Sequence, residues 1–251
     1  DLKKLGRLHD VAEAKAALKM AMGVFGRVSL DLIYARPDQS DAQWRQELRE
    51  AIGFGTEHLS LYQLTIEPET PYALLHRNGQ LTIPDDDMAA GLYETTQELT
   101  DAAGLPAYEI SNHARRGAES RHNLIYWRYG DYAGVGPGAH GRLALDGQRT
   151  ATAAIKLPER WRDTVSKSGH GFAERTLVSN DEAAREHLLM NLRLAEGIDL
   201  GAYEKRWGAR PDASKITAMA GQGFVTLDGE RLTATPGGRL LLNRVIEKLL
   251  N

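Results

Sequence analysis

The chain has 251 residues, 42% of them hydrophobic and 26% charged, with a formal net charge of −3. That is the composition of an ordinary globular protein of one large or two smaller domains, and it gives no bulk attraction to nucleic acid or an anionic membrane. Cysteine is absent, which excludes disulfides, thiolate metal ligands and a thiol nucleophile within these residues.

No apolar run approaches the ~20 residues of a membrane span, and a cytoplasmic protein is expected. The opening DLKKLGRLHD lacks an initiator Met and reads as the start of a fragment. Asp10 followed by Glu13 resembles a capping box, and VAEAKAALKMAMGVF then carries helical periodicity up to Gly23 and Gly26. VSLDLIYA (28–35) is a strand; Ser40 with Gln43 caps a helix whose apolar face includes Trp44, Leu48 and Ile52. HLSLYQLTI (58–66) is the next strand, followed by a Pro-broken loop. Pro84 and the Asp85–Asp87 run open a long helix to about Ala103, and AYEIS (107–111) is a further strand. Strand and helix alternating at this spacing predict a parallel α/β sheet or barrel.

Pro, Gly and Ser collect between Leu157 and Thr176, which places a domain boundary there, between residues 1–157 and 158–251. Beyond it EAAREHLLMNLRLAEG, IDLGAYEKRWG and DASKITAMAGQGFV read as three helices. The hairpin-like VTLDGERLTATPGG and a last helix, RLLLNRVIEKLL, complete a winged-helix-like, mainly α module. Such modules often bind DNA, but the third helix offers one cation, Lys215, among Ala, Thr, Met and Gly. A recognition helix needs more, so packing within the protein is expected and nucleic acid is not.

Arg121–Leu143, RHNLIYWRYGDYAGVGPGAHGRL, gathers two histidines, three tyrosines, a tryptophan and five glycines into 23 residues. Aromatic faces, imidazoles and a glycine run suit a flat ligand approached closely by backbone. Gly136, Gly138 and Gly141 match G-x-G-x-x-G, but a strand-like RLALDGQR follows where a dinucleotide loop requires a helix. On the first strand, alternation sets Ser29, Asp31 and Ile33 opposite Val28, Leu30, Leu32 and Tyr34. A carboxylate in that position either meets a partner in a crevice or bonds a strand-end backbone. Arg7 is a candidate countercharge for an acidic ligand. Thr65, Glu67 and Thr70 follow the second strand, where α/β barrels build their sites, and Glu109 projects from the third. His9, His58, His76, His113, His170 and His187 are scattered and read as surface or packing residues; His122 and His140 stand out through their neighbours.

LGRLH, VSLDLIYARPDQ, HLSLYQLTIEPETP, YEISNHAR and above all RHNLIYWRYGDYAGVGPGAHGRL resemble the HemW family of radical SAM heme chaperones. These are relatives of oxygen-independent coproporphyrinogen III oxidase, and the resemblance runs from residue 1 to 251. It implies a partial (β/α)6 barrel, of which this chain is the later part, and a HemN-type C-terminal domain. It also implies S-adenosylmethionine and a [4Fe-4S] cluster held by an N-terminal C-x3-C-x2-C that these residues do not contain. By the family pattern Arg7, Asp31, Thr65 and the backbone near His140 contact S-adenosylmethionine. His122, Asn123, Tyr126 and Trp127 match the heme-associated HN-x-x-YW segment, with His122 the candidate iron ligand. Ala35 and Asp38 depart from the pattern, standing where glycine is common around Pro37. The implied function is heme binding and delivery to an acceptor protein, of the kind found in the respiratory chain. The alternative is coproporphyrinogen III decarboxylation in porphyrin biosynthesis. Both share fold and cofactors, so fold does not decide between them, and HN-x-x-YW favours the carrier.

Overall fold

In the computed structural model, which describes residues 2–3, 5–68, 70–145 and 147–250, helix starts fall where the sequence supplies caps. Asp10 and Glu13 exchange side chain and backbone bonds in a capping box that opens α1 (Val11–Val24), and Ser40 and Gln43 do the same for α2 (Asp41–Gly53). A reciprocal pair of this kind satisfies two amide donors that a helix start otherwise leaves unpaired. Gly23 lies inside α1 rather than ending it. Between them runs β1 (Ser29–Tyr34), and β2 (His58–Gln63) pairs with it in parallel.

The stretch after β2 is not only loop. Thr70 caps, and Pro71 begins, the short α3 (Pro71–Arg77), in keeping with proline's preference for the first helical turn. Asp85 then caps α4 (Asp86–Ala102). The third strand differs from expectation: β3 is Asn112–Ala114, and it runs antiparallel to β2. The cause is local. The Glu109 carboxylate accepts from the Ser111 backbone N–H and the Asn112 side chain, and Tyr108 N–H donates to Asn112 O, so AYEIS closes a turn that sends the chain back. The sheet order is β1-β2-β3.

Residues 1–119 form one compact unit. Its core lies on the Leu30, Leu32 and Tyr34 side of the sheet, beneath α2 and α4: Tyr34, Trp44, Leu48, Leu59, Leu61, Leu92 and Leu105 are buried together. Tyr34 stacks on Trp44 at 5.0 Å, and the Trp44 indole N–H donates to Thr96 Oγ1 at 2.9 Å, so its one polar atom is satisfied inside the core. Removing such side chains from water is worth about 1.5–3 kcal/mol each.

Residues 120–251 form the second unit. It begins with α5 (Arg121–Trp127) and a three-stranded antiparallel sheet of β4 (His140–Leu145), β5 (Gln148–Ala154) and β6 (Phe172–Leu177). The Pro/Gly/Ser-rich stretch holds α6 (Pro158–Ser168), with proline at its start and left-handed Gly169 after its end, so those residues act as helix punctuation. Next come α7 (Asn180–Asn191), β7 (Ile198–Asp199), α8 (Leu200–Trp207) and α9 (Ala213–Gly221). The hairpin β8 (Val225–Asp228) and β9 (Arg231–Ala234) follows, then α10 (Pro236–Leu240) and α11 (Leu242–Leu250). The last sheet has the order β7-β9-β8, and α11 buries Leu242, Val245, Ile246 and Leu249 along one stripe.

Candidate functional site

The parallel register of β1 and β2 sets Ser29 against His58 and Asp31 against Ser60. By period-two alternation these four share the face turned away from the α2/α4 core. Asp31 and Arg7 line one groove of 660 Å³, together with the apolar Leu5, Ile33 and Tyr62 and with Arg36 and Glu47. Arg36 and Glu47 form a two-pronged ion pair, the shorter arm 2.7 Å. Thr65 lines a neighbouring groove of 480 Å³ with Gly6, Leu64, Tyr72 and Leu75; Lys3, Leu5 and Ile33 border both. Glu67 and Thr70 line that second groove as well. Opposite charges above an apolar wall can hold an amphoteric, partly flat ligand.

Behind Asp31 lies a hydrogen-bonded set that periodicity alone did not reveal. Ser29 Oγ is 3.3 Å from Asp31 Oδ1 and 2.7 Å from His58 Nδ1, and His58 Nε2 is 2.9 Å from the Tyr108 hydroxyl. Burial lowers the His58 pKa, with the Arg27 charge adding to it and Asp31 and Glu119 opposing. Glu109 is raised, chiefly by burial. His58 and Ser60 join Asp31 on one face only once strand register is known.

In the second unit, the HN-x-x-YW residues lie on α5. His122 is exposed, and Asn123, Tyr126 and Trp127 are half-buried. His122 Nε2 meets the Tyr126 hydroxyl at 2.6 Å, and Tyr126 packs edge-on against Tyr132 with ring centres 4.3 Å apart. The Trp127 carbonyl accepts from Asn191 on α7. Arg128, just past the helix, is committed to Glu196 through two bonds of 2.7 and 2.9 Å, while Arg121 is exposed. Among the described residues no group of three or more His, Cys, Asp or Glu side chains is gathered to hold a metal ion.

The glycines after α5 serve a close backbone approach. A Cβ on Gly134 would lie 2.4 Å from the His140 carbonyl oxygen, and one on Gly141 would lie 2.6 Å from Thr152 Oγ1. His140 itself opens β4 and is exposed. As expected, G-x-G-x-x-G leads into a strand and not a helix.

Tyr129, at φ 56°, is buried nearby and donates to Glu186 at 2.8 Å, stacking on His187 at 5.3 Å. Arg149 sits 4.2 Å above its ring. Trp207 Nε1–H donates to His187 Nδ1 at 2.9 Å. Burial first, and the Arg206 charge second, push the His187 pKa down to about 4. His187 is engaged by Tyr129 and Trp207 through ring contacts and the indole hydrogen bond.

A mixed α/β chain with these elements matches the radical SAM fold of the solved coproporphyrinogen III oxidase (HemN) from Escherichia coli. The TM-score is 0.76 at 17% identity, over 99% of this chain and 60% of that one. Residues 178–241, from α7 through α10, match the HemN C-terminal domain. The chain is 35% identical to the zebrafish (Danio rerio) mitochondrial radical S-adenosyl methionine domain-containing protein 1 over 99% of its own length. It is likewise 35% identical, over 99% of its length, to heme chaperone HemW of Escherichia coli and of Mycobacterium tuberculosis. Over nearly its whole length the chain is thus similar to HemW heme chaperones and to radical S-adenosyl methionine domain-containing protein 1. The chain spans 59% of the zebrafish protein, 62% of the mycobacterial one and 65% of the Escherichia coli one.

Proposed function

We propose that this chain is the heme-carrying part of a HemW-type heme chaperone, which binds heme and delivers it to an acceptor protein. The observation that supports the reading most is α5, where an exposed His122 stands beside the Tyr126–Tyr132 aromatic pair. An imidazole next to aromatic edges suits a flat apolar macrocycle with a ligatable iron. His122 is the proposed iron ligand, Tyr126 and Trp127 supply contact area, Asn123 lines the same helix, and exposed Arg121 is the cation for a propionate. Arg128 is not, because Glu196 already occupies it.

S-adenosylmethionine is proposed for the groove between Arg7 and Asp31, with Thr65 in the neighbouring groove as a further contact. The mixed charges and apolar wall of that groove fit a sulfonium amino acid joined to a nucleoside. Arg7 would hold the carboxylate end; Asp31 would take a ribose hydroxyl or the cationic end. A [4Fe-4S] cluster has no place on these residues, since the chain has no cysteine. In this reading β1-α2-β2 belongs to the later part of a partial (β/α)6 barrel, ending near residue 157, and residues 158–251 form a winged-helix-like module. The acceptor, of respiratory-chain type, and a cytoplasmic location are parts of the same proposal; some relatives carry a mitochondrial label in their names. No described helix is long and apolar enough to cross a membrane.

The test is heme transfer. Full-length protein loaded with one heme and mixed with a generic apo-haemoprotein should lose its Soret signature to the acceptor and release no decarboxylated porphyrin when given coproporphyrinogen III. Conversion of coproporphyrinogen III propionates to vinyl groups, without heme transfer, would replace the carrier reading with the oxidase.

A further inference from the structure

His58 is 8% exposed at the first position of β2, with both ring nitrogens engaged, Nδ1 by Ser29 and Nε2 by Tyr108. Packing alone does not require a buried imidazole here, since the core residues lie on the other side of the sheet. The direction of the protons is informative. An ionised carboxylate only accepts, so the contact between Ser29 Oγ and Asp31 Oδ1 at 3.3 Å uses the serine proton. The serine oxygen, which also lies 3.4 Å from Ser60 Oγ, is then placed to accept from His58 in the tautomer that carries its proton on Nδ1. His58 Nε2, bare in that tautomer, accepts the Tyr108 hydroxyl. Burial disfavours the charged imidazole, which agrees with this order of donors.

We propose that His58, acting through Ser29, is a positioning residue for Asp31. The chain Tyr108 to His58 to Ser29 to Asp31 fixes one oxygen of the carboxylate from behind and leaves the other acceptor positions to the groove that Arg7 also lines. Without it an exposed strand aspartate is free to sample rotamers, and a ligand must restrict them on binding. The inference rests on the reading of Asp31 as a contact for S-adenosylmethionine. It adds that the strength of the contact depends on two residues that do not themselves touch the ligand. The same arrangement favours a ligand that presents a hydroxyl or a cation to Asp31, because one lone-pair direction is already filled by a donor.

The experiment is S-adenosylmethionine titration by calorimetry into the full-length, cluster-reconstituted protein. Ser29→Ala and His58→Phe should each weaken binding roughly 3- to 10-fold, the effect of one lost hydrogen bond. His58→Asn, whose amide can donate where Nδ1–H does, should restore affinity to within about twofold of wild type. In an Asp31→Asn background, Ser29→Ala and His58→Phe should add nothing further, since residues acting through one another are non-additive. Full additivity in that background, or no loss in either single variant while Asp31→Asn still binds weakly, overturns the positioning role. An Asp31→Asn protein with wild-type affinity overturns the underlying assignment of Asp31 as well. A general folding defect would show as loss in His58→Asn too, with a lowered melting temperature, and it also counts against the proposal.

Discussion

His122 Nε2 and the Tyr126 hydroxyl lie 2.6 Å apart, one helical turn from each other on α5. The bond occupies the imidazole nitrogen farther from the backbone, the one best placed to reach a ligand. Iron ligation through Nε2 therefore has to displace a phenol, and the ring of Tyr126 already leans on Tyr132. Tyr126→Phe keeps the ring and removes the competitor. Heme affinity should stay level or rise up to about tenfold, the worth of a typical hydrogen bond, whereas Tyr126→Ala should weaken it. A loss with Tyr126→Phe as large as with Tyr126→Ala would mean that the hydroxyl itself is needed. Heme titration followed at the Soret band reads both.

Trp44 and Thr96 tie α2 to α4 inside the first unit, the indole N–H donating to a threonine that itself donates to the Leu92 carbonyl. Trp44→Phe leaves a buried hydroxyl without its donor and a void beside Tyr34. It should lower stability by about 2–4 kcal/mol, read as a shift of the urea midpoint. A change under about 0.5 kcal/mol, typical of surface substitutions, would show that the pair is not part of the cooperative core.

His187 sets a pH dependence whose sign follows from its surroundings. Burial first, with Arg206 next, brings its pKa from 6.5 to about 4. The native state thus holds it neutral while the unfolded chain takes up the proton. Its contribution to stability is intact above pH 6.5 and is lost as pH falls from there toward about 4. The melting temperature of the second unit should fall across that window, and it should fall less steeply in His187→Gln, which can still accept from Trp207. Equal slopes in the two proteins would contradict the assignment.

Ala35 and Asp38, standing where the resemblance favours glycine, both have positive φ, 55° and 60°. Exposed Asp38 is the cleaner probe, since Ala35 is buried. Asp38→Gly removes the left-handed penalty and loosens the unfolded chain, which should leave a net gain of about 0.5 kcal/mol. A loss of melting temperature would show that the aspartate side chain holds the loop.

Much of the fold was legible because the local signals were redundant. Asp10 with Glu13, Ser40 with Gln43 and the Asp85–Asp87 run mark helix starts, and alternation in 28–35 places Tyr34 and Asp31 on opposite faces. What failed was composition read without tertiary context. AYEIS has a strand's residues, yet the buried Glu109 carboxylate turns the chain there, and β3 starts one residue later in the opposite direction. Pro158 and Gly169 resemble linker residues, but one opens α6 as its first residue and the other closes it in a left-handed conformation. At the site, the Ser29–His58 contact depends on strand register, and Arg7 shares a groove with Asp31 only through tertiary placement of Leu5, Arg7 and His9 beside Asp31 and Ile33. Neither relation has a periodic signal.

The most direct test of the heme-carrier account is the Soret spectrum of His122→Ala beside Trp127→Ala in the full-length protein. Losing an axial bond should change the band position and weaken heme binding by more than the modest effect of removing an exposed histidine. Trp127→Ala should weaken binding and leave the ligand-field pattern as in wild type, since it acts through contact area. His122→Ala with wild-type spectrum and affinity would contradict the account and return His122 to the role of a tyrosine partner on the surface of α5.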